Sequence, residues 1–124
     1  MTAPVLDRYE LELVKDVILL PVMLDVIQND IRLMRTLKLR LSALMIKRLS
    51  DIQETIVREI PVLNRKLRER GIKVYEQKRT PVRLEARYTC RGYDHSLHML
   101  WSLVRSEVMI RMGRHMNVCL KEGK

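Results

Sequence analysis

The sequence predicts a mainly α-helical fold with long helices, one antiparallel β-hairpin at about residues 72–90 and a C-terminal helix. Three observations carry that expectation. Apolar residues recur at the 3.6-residue helical period from 22 to 60, with no Gly or Pro among them. Across 72–90 the period changes to 2. Gly and Pro number four each in 124 residues, too few to punctuate an all-β chain every ~8–12 residues. With 47% apolar and 31% charged residues the chain is not wholly disordered, and its length suits one domain, residues 1–124, with frayed ends expected at 1–4 and 119–124.

Taken in order, Leu6, Tyr9, Leu13, Val17 and Leu20 form one face of a first amphipathic helix. Pro21 lacks an N–H and disfavours helical geometry at Leu20, so a break or kink is expected there. Ile27, Ile31, Met34, Leu37, Leu41, Met45, Leu49, Ile52, Ile56 and Ile60 then mark a rod roughly 58 Å long at ~1.5 Å per residue. A rod of that length either packs against a second chain or is interrupted at Asn29-Asp30 or Ser50-Asp51, where capping residues occur. Pro61 is expected to open a short helix that Gly71 ends. Ile72–Gln77 and Val82–Cys90 read as strands joined by Lys78-Arg-Thr-Pro81, with Val82, Leu84, Ala86, Tyr88 and Cys90 on one face of the second. Gly92 ends that strand. Asp94 or Ser96 then caps a last helix carrying Leu97, Leu100, Trp101, Val104, Val108 and Met112.

The chain carries 24 Lys and Arg against 15 Asp and Glu, a net +9. The surplus is uneven: residues 1–30 sum to −4, residues 31–91 to +11 and residues 92–124 to +2. A positive field of this kind attracts nucleic acid or an anionic membrane, or docks an acidic protein surface. The main candidate site is a cationic ribbon, Lys73, Lys78, Arg79, Arg83, Arg87 and Arg91, with Arg65, Lys66, Arg68 and Arg70 just before it. Guanidinium groups grip phosphate with two donors, and a two-stranded ribbon fits the DNA major groove. The competing expectation is an assembly module whose cations dock an acidic partner, including the acidic residues 1–30 of another copy. A second basic group, Arg32, Arg35, Lys38, Arg40, Lys47 and Arg48, reads as the wet side of the rod.

Little points to catalysis. Cys90 has His95 and His98 nearby in sequence but lies on the apolar strand face, and no glycine-rich phosphate loop occurs. Cys90, His95, His98, His115 and Cys119 match no zinc spacing, so no metal and no cofactor is expected. Glu107 and Arg111, four apart, read as a structural ion pair. Met99, Met109, Met112 and Met116 spread apolar surface around the last helix, which predicts burial on several sides or a homodimer. The longest apolar run, Val17–Leu24, is far short of the ~20 residues that span a bilayer. No secretory signal pattern is visible, and two cysteines without redox spacing suit a cytoplasmic protein.

Overall fold

The computed structural model describes residues 6–118. The ends expected to fray at 1–4 and 119–124, and Cys119, lie outside the described residues. The element order is α1 (Arg8–Thr36), α2 (Ser42–Glu69), β1 (Ile72–Arg79), β2 (Arg83–Cys90), β3 (Tyr93–Leu100) and α3 (Trp101–His115). The described residues are 64% helical and 21% strand. The fold is therefore a mixed one, three helices and a three-stranded antiparallel sheet, rather than a mainly α domain with a hairpin.

α1 opens on a capping box. The Glu10 amide donates to the Asp7 carboxylate at 2.7 Å, and the Asp7 amide donates back to Glu10 at 3.2 Å. The helix then runs through Pro21 without a break. A mid-helix proline costs about 3 kcal/mol through its missing N–H and ring clash. Ile18, Leu19, Leu20, Val22 and Met23 are all buried on either side of it. Each such side chain contributes roughly 1.5–3 kcal/mol, so burial outweighs the proline.

The expected rod folds back at 37–41, not at Asn29-Asp30 or Ser50-Asp51. Leu37 leaves the helix in extended geometry and α2 starts at Ser42. Folding there lays Ile27 and Ile31 of α1 in one core with Leu49, Ile52 and Ile56 of α2. The Gln53 side-chain amide reaches the Gln28 oxygen at 3.1 Å across the pair. The overlooked signal is Leu37-Lys38-Leu39-Arg40-Leu41, whose alternation has period 2, not 3.6. Asp51 sits inside α2 and takes Lys47 at 2.9 Å. Pro61 is likewise inside α2 and exposed, so no separate short helix begins there. Gly71 follows the helix end at φ +70, the left-handed geometry that favours glycine.

The hairpin forms as expected, with Ile72 opposite Cys90 and Arg79 opposite Leu84. A bulge at Tyr75 shifts the register between Val74 and Glu76. The chain then turns through Arg91 (φ 49) and Gly92 (φ 89), a two-residue turn with both centres left-handed. It returns as β3, pairing along the whole of β2 from Cys90–Tyr93 to Arg83–Leu100. β3 replaces the expected helix start at Asp94 or Ser96; α3 begins only at Trp101. The indole N–H of Trp101 donates to the Thr80 carbonyl at 2.7 Å and ties α3 to the β1–β2 turn. Leu84, Ala86 and Met99 face the main core with Val104, Val108 and Met112. Tyr88, Cys90 and Ile72 close a second core against Leu13, Val14 and Leu67.

Ile56 is fully buried where α2 meets α1. Ile56→Ala should therefore lower unfolding free energy by about 3 kcal/mol in urea titration. A loss below about 1 kcal/mol would mean that α2 is not seated there.

Candidate interaction surfaces

The ten basic residues of the expected ribbon do not share one surface. Arg79 forms an ion pair with Asp25 of α1 at 2.6 Å, and Arg83 with Glu85 at 2.7 Å. Arg91 reaches Glu10 at 3.1 Å, and Arg70 reaches both Glu10 and Asp7 at 3.5 Å. Arg70 also lies 4.6 Å over the Tyr9 ring. Arg65, Lys66, Arg68 and Lys73 are exposed and make no ion pair with the described residues.

Strand pairing also offsets charge on the open face of the sheet. Its cross-strand rows are Lys73–Thr89–Asp94, Glu76–Arg87–Ser96 and Lys78–Glu85–His98. Glu76 lies directly opposite Arg87 and Lys78 opposite Glu85, while Lys73 and Asp94 stand two strands apart and Arg83 lies opposite Leu100. Four cations thus share the face with three carboxylates, and among the described residues only Arg83 closes an ion pair there, with Glu85. The Glu85 carboxyl is held below its usual range, chiefly by the Arg83 hydrogen bond and also by His98 and Lys78. Tyr75, thrown outward by the bulge, donates to Asp94 at 3.2 Å, and Arg87 sits 6.0 Å over its ring. Register was the missing information: alternation assigns residues to a face but not to partners.

Three acidic residues of α1 join two clusters, each built on a buried charge. Glu10 is buried between Arg91 and Arg70 beside the second core. Arg111 of α3 is buried and holds Glu107 at 2.8 Å, Asp16 at 2.9 Å and Glu12 at 3.5 Å. Its guanidinium pKa is raised: burial opposes the charge, but the bonds to Glu107 and Asp16 outweigh burial. The expected Glu107–Arg111 pair is thus part of a larger network. The acidic segment covers cations within its own molecule.

The candidate catalytic and metal groups are dispersed. Cys90 is buried, and burial pushes its thiol pKa up, against nucleophilic use. His95 stacks on Tyr88 with centroids 5.5 Å apart, on the inner side of the sheet. His98 falls on the opposite face, because three residues along a strand reverse the side-chain direction. Among the described residues no group of three His, Cys, Asp or Glu side chains could hold a metal ion.

A different surface gathers at the α1–α2 end. Ile27, Met34, Leu44, Met45, Met109 and Met112 line a groove of about 400 Å³. Leu44 is 69% exposed, and on the turn beside it Leu37, Leu39 and Leu41 are 52%, 55% and 60% exposed. Residues 31–50 supply Arg32, Arg35, Lys38, Arg40, Lys47 and Arg48 and not one carboxylate. Arg48 donates to the His115 carbonyl at 2.7 Å and Arg32 to Asn29 at 2.6 Å. These cations read in sequence as the wet side of a rod; folding back at 37–41 sets them around exposed apolar side chains.

The Glu10 carboxyl titrates below its ordinary value of 4.5, chiefly through the Arg91 hydrogen bond, which prevails over burial. Stability from that shift is full above the unfolded value and lost as pH falls through the lower folded one. Glu10→Gln should cost about 1–2 kcal/mol at pH 7, discounted for the half-exposed arginines, and flatten the acid limb of stability against pH. An unchanged acid limb would show that Glu10 does not couple folding to pH.

No curated protein and no solved structure matches the chain. Residues 5–118 match the family described as YhjD protein, and the chain belongs to that family.

Proposed function

We propose that the protein is a non-enzymatic binding module that docks an anionic, amphiphilic partner at the α1–α2 end of the molecule. The observation that carries this reading is one coincidence at residues 31–50: six cations, of which only Lys47 is ion-paired among the described residues, to Asp51, beside an exposed apolar groove whose one acidic lining residue is Asp30. Cations of one sign steer an anionic partner and set its on-rate, while apolar burial holds it. The groove's methionines suit such a role, since an unbranched thioether adapts to irregular partners. Elsewhere Arg70, Arg79, Arg83 and Arg91 are each bound to a carboxylate of the same molecule, which lowers the field they present to a partner. In this reading the protein works in the cytoplasm.

The probe is 1-anilinonaphthalene-8-sulfonate, itself an anionic aromatic. Native protein should give a saturable rise in its fluorescence that weakens with added salt. Met45→Asp with Met109→Asp, both exposed in the groove, should weaken binding at least fivefold with an unchanged thermal midpoint. No saturable binding by wild type at low salt would refute the reading.

Nucleic-acid binding stands as a second reading, favoured by the six ribbon residues that make no ion pair with described residues: Arg65, Lys66, Arg68, Lys73, Lys78 and Arg87. Here Arg65→Ala, Arg68→Ala and Arg87→Ala together should reduce duplex DNA affinity at least severalfold in a low-salt gel shift. Absence of any shift by wild type would end it.

A further inference from the structure

We infer that the partner of the α1–α2 end is the surface of an anionic lipid bilayer, entered by Leu37, Leu39 and Leu41. The inference rests on the binding reading above and names its partner.

The turn alternates leucine with cation: Leu37, Lys38, Leu39, Arg40, Leu41. All three leucines are more than half exposed, and Leu44, one helical turn farther on, is more exposed still. The backbone bonds of the turn are local, Leu37 to Met34 at 3.2 Å and Ser42 to Leu39 at 3.2 Å. The side chains of Arg35, Lys38 and Arg40 make no hydrogen bond or ion pair with the described residues. Four leucines and three unpaired cations therefore stand together on the tip of a helical hairpin.

Three partner chemistries can be weighed against that tip. Nucleic acid would take up the cations but leave the leucines in water. A second copy related by a two-fold axis would set the same cations against themselves. Of the six carboxylates in residues 1–30, Asp7, Glu10, Glu12, Asp16 and Asp25 are already held by Arg70, Arg91, Arg111 and Arg79, which leaves Asp30 alone to meet a second copy's cations. A bilayer surface satisfies both halves of the pattern. Leucines enter the boundary between headgroups and acyl chains while the neighbouring cations stay with anionic headgroups. A projecting tip suits a deformable surface and needs no cavity in the partner. No helix among the described residues is long and apolar enough to cross a membrane, so the contact is one of lying on the surface.

Sedimentation with vesicles tests this. The full chain should pellet with phosphatidylglycerol vesicles at low salt and remain in solution with phosphatidylcholine vesicles. Leu37→Ser with Leu39→Ser, and separately Lys38→Ala with Arg40→Ala, should each lower the partition at least tenfold. The thermal midpoint should stay unchanged in both variants. Binding of the anilinonaphthalene probe should stay unchanged in the leucine variant, since Leu37 and Leu39 are exposed and outside the groove lining. Loss of Lys38 and Arg40, which belong to the cations that steer the probe, should weaken it as well. Wild type staying in solution with phosphatidylglycerol, or leucine variants pelleting as well as wild type, would overturn the inference. Probe binding retained beside failed pelleting would leave the binding reading standing without the membrane. A light-scattering mass of twice 14.8 kDa that falls to 14.8 kDa in the leucine variant would assign the tip to a second copy instead.

Discussion

The acidic side chains at and along α1 decide both how this molecule closes and which of its cations remain free. Asp7 and Glu10 hold Arg70 at the end of α2 and Arg91 in the β2–β3 turn; Glu12 and Asp16 hold Arg111 of α3; Asp25 holds Arg79 of β1. Their weights differ. Arg79 and Asp25 are both largely exposed, and such pairs contribute ~0–1 kcal/mol. Glu10 and Arg111 are buried, where removing one partner strands a charge out of water. The two buried charges therefore do most to fix the elements around α1, and each is surrounded by several partners rather than one.

That arrangement changes what a net charge of +9 means. A sum over the chain counts every arginine equally, but an arginine bound to a carboxylate contributes little field at a distance. On the open face of the sheet three carboxylates offset most of the charge of four cations, and α1 pairs with the arginines facing it. The uncancelled surplus lies on the exposed part of α2 and at the α1–α2 turn. Single apolar side chains such as Val57 and Val62 are exposed on α2, but a cluster of exposed leucines lies at the turn, beside the methionine groove.

The same partition would separate stability from the proposed binding. The main core joins the middle of α1 to α2, the sheet and α3. The turn at 37–41 lies beyond it, with local backbone hydrogen bonds and exposed side chains. Changes at the turn can thus alter association while leaving the fold intact, which is the arrangement expected of a working loop on a rigid frame.

By itself the sequence determined the helical periodicity, the hairpin at 72–90, the inward face of β2 with its buried Cys90, the Glu107–Arg111 pair and the uneven charge. All of these are local: they depend on period, on spacing or on residues at most four apart. Where the chain breaks was not local. Pro21 and Pro61 read as punctuation, yet both lie inside helices because burial and continuous hydrogen bonding on either side outweigh one missing donor. The rod folds where doing so matches Ile27 and Ile31 with Ile52 and Ile56, a condition that involves residues far apart in sequence. β3 needed the left-handed Arg91-Gly92 turn and a free edge of β2, so its strand geometry prevailed over a helical reading. Above all, the pairing of each cation was set by register and packing. Tertiary structure alone decided which charges meet, since a carboxylate neutralises whatever guanidinium lies within a few ångströms of it, however distant in the chain.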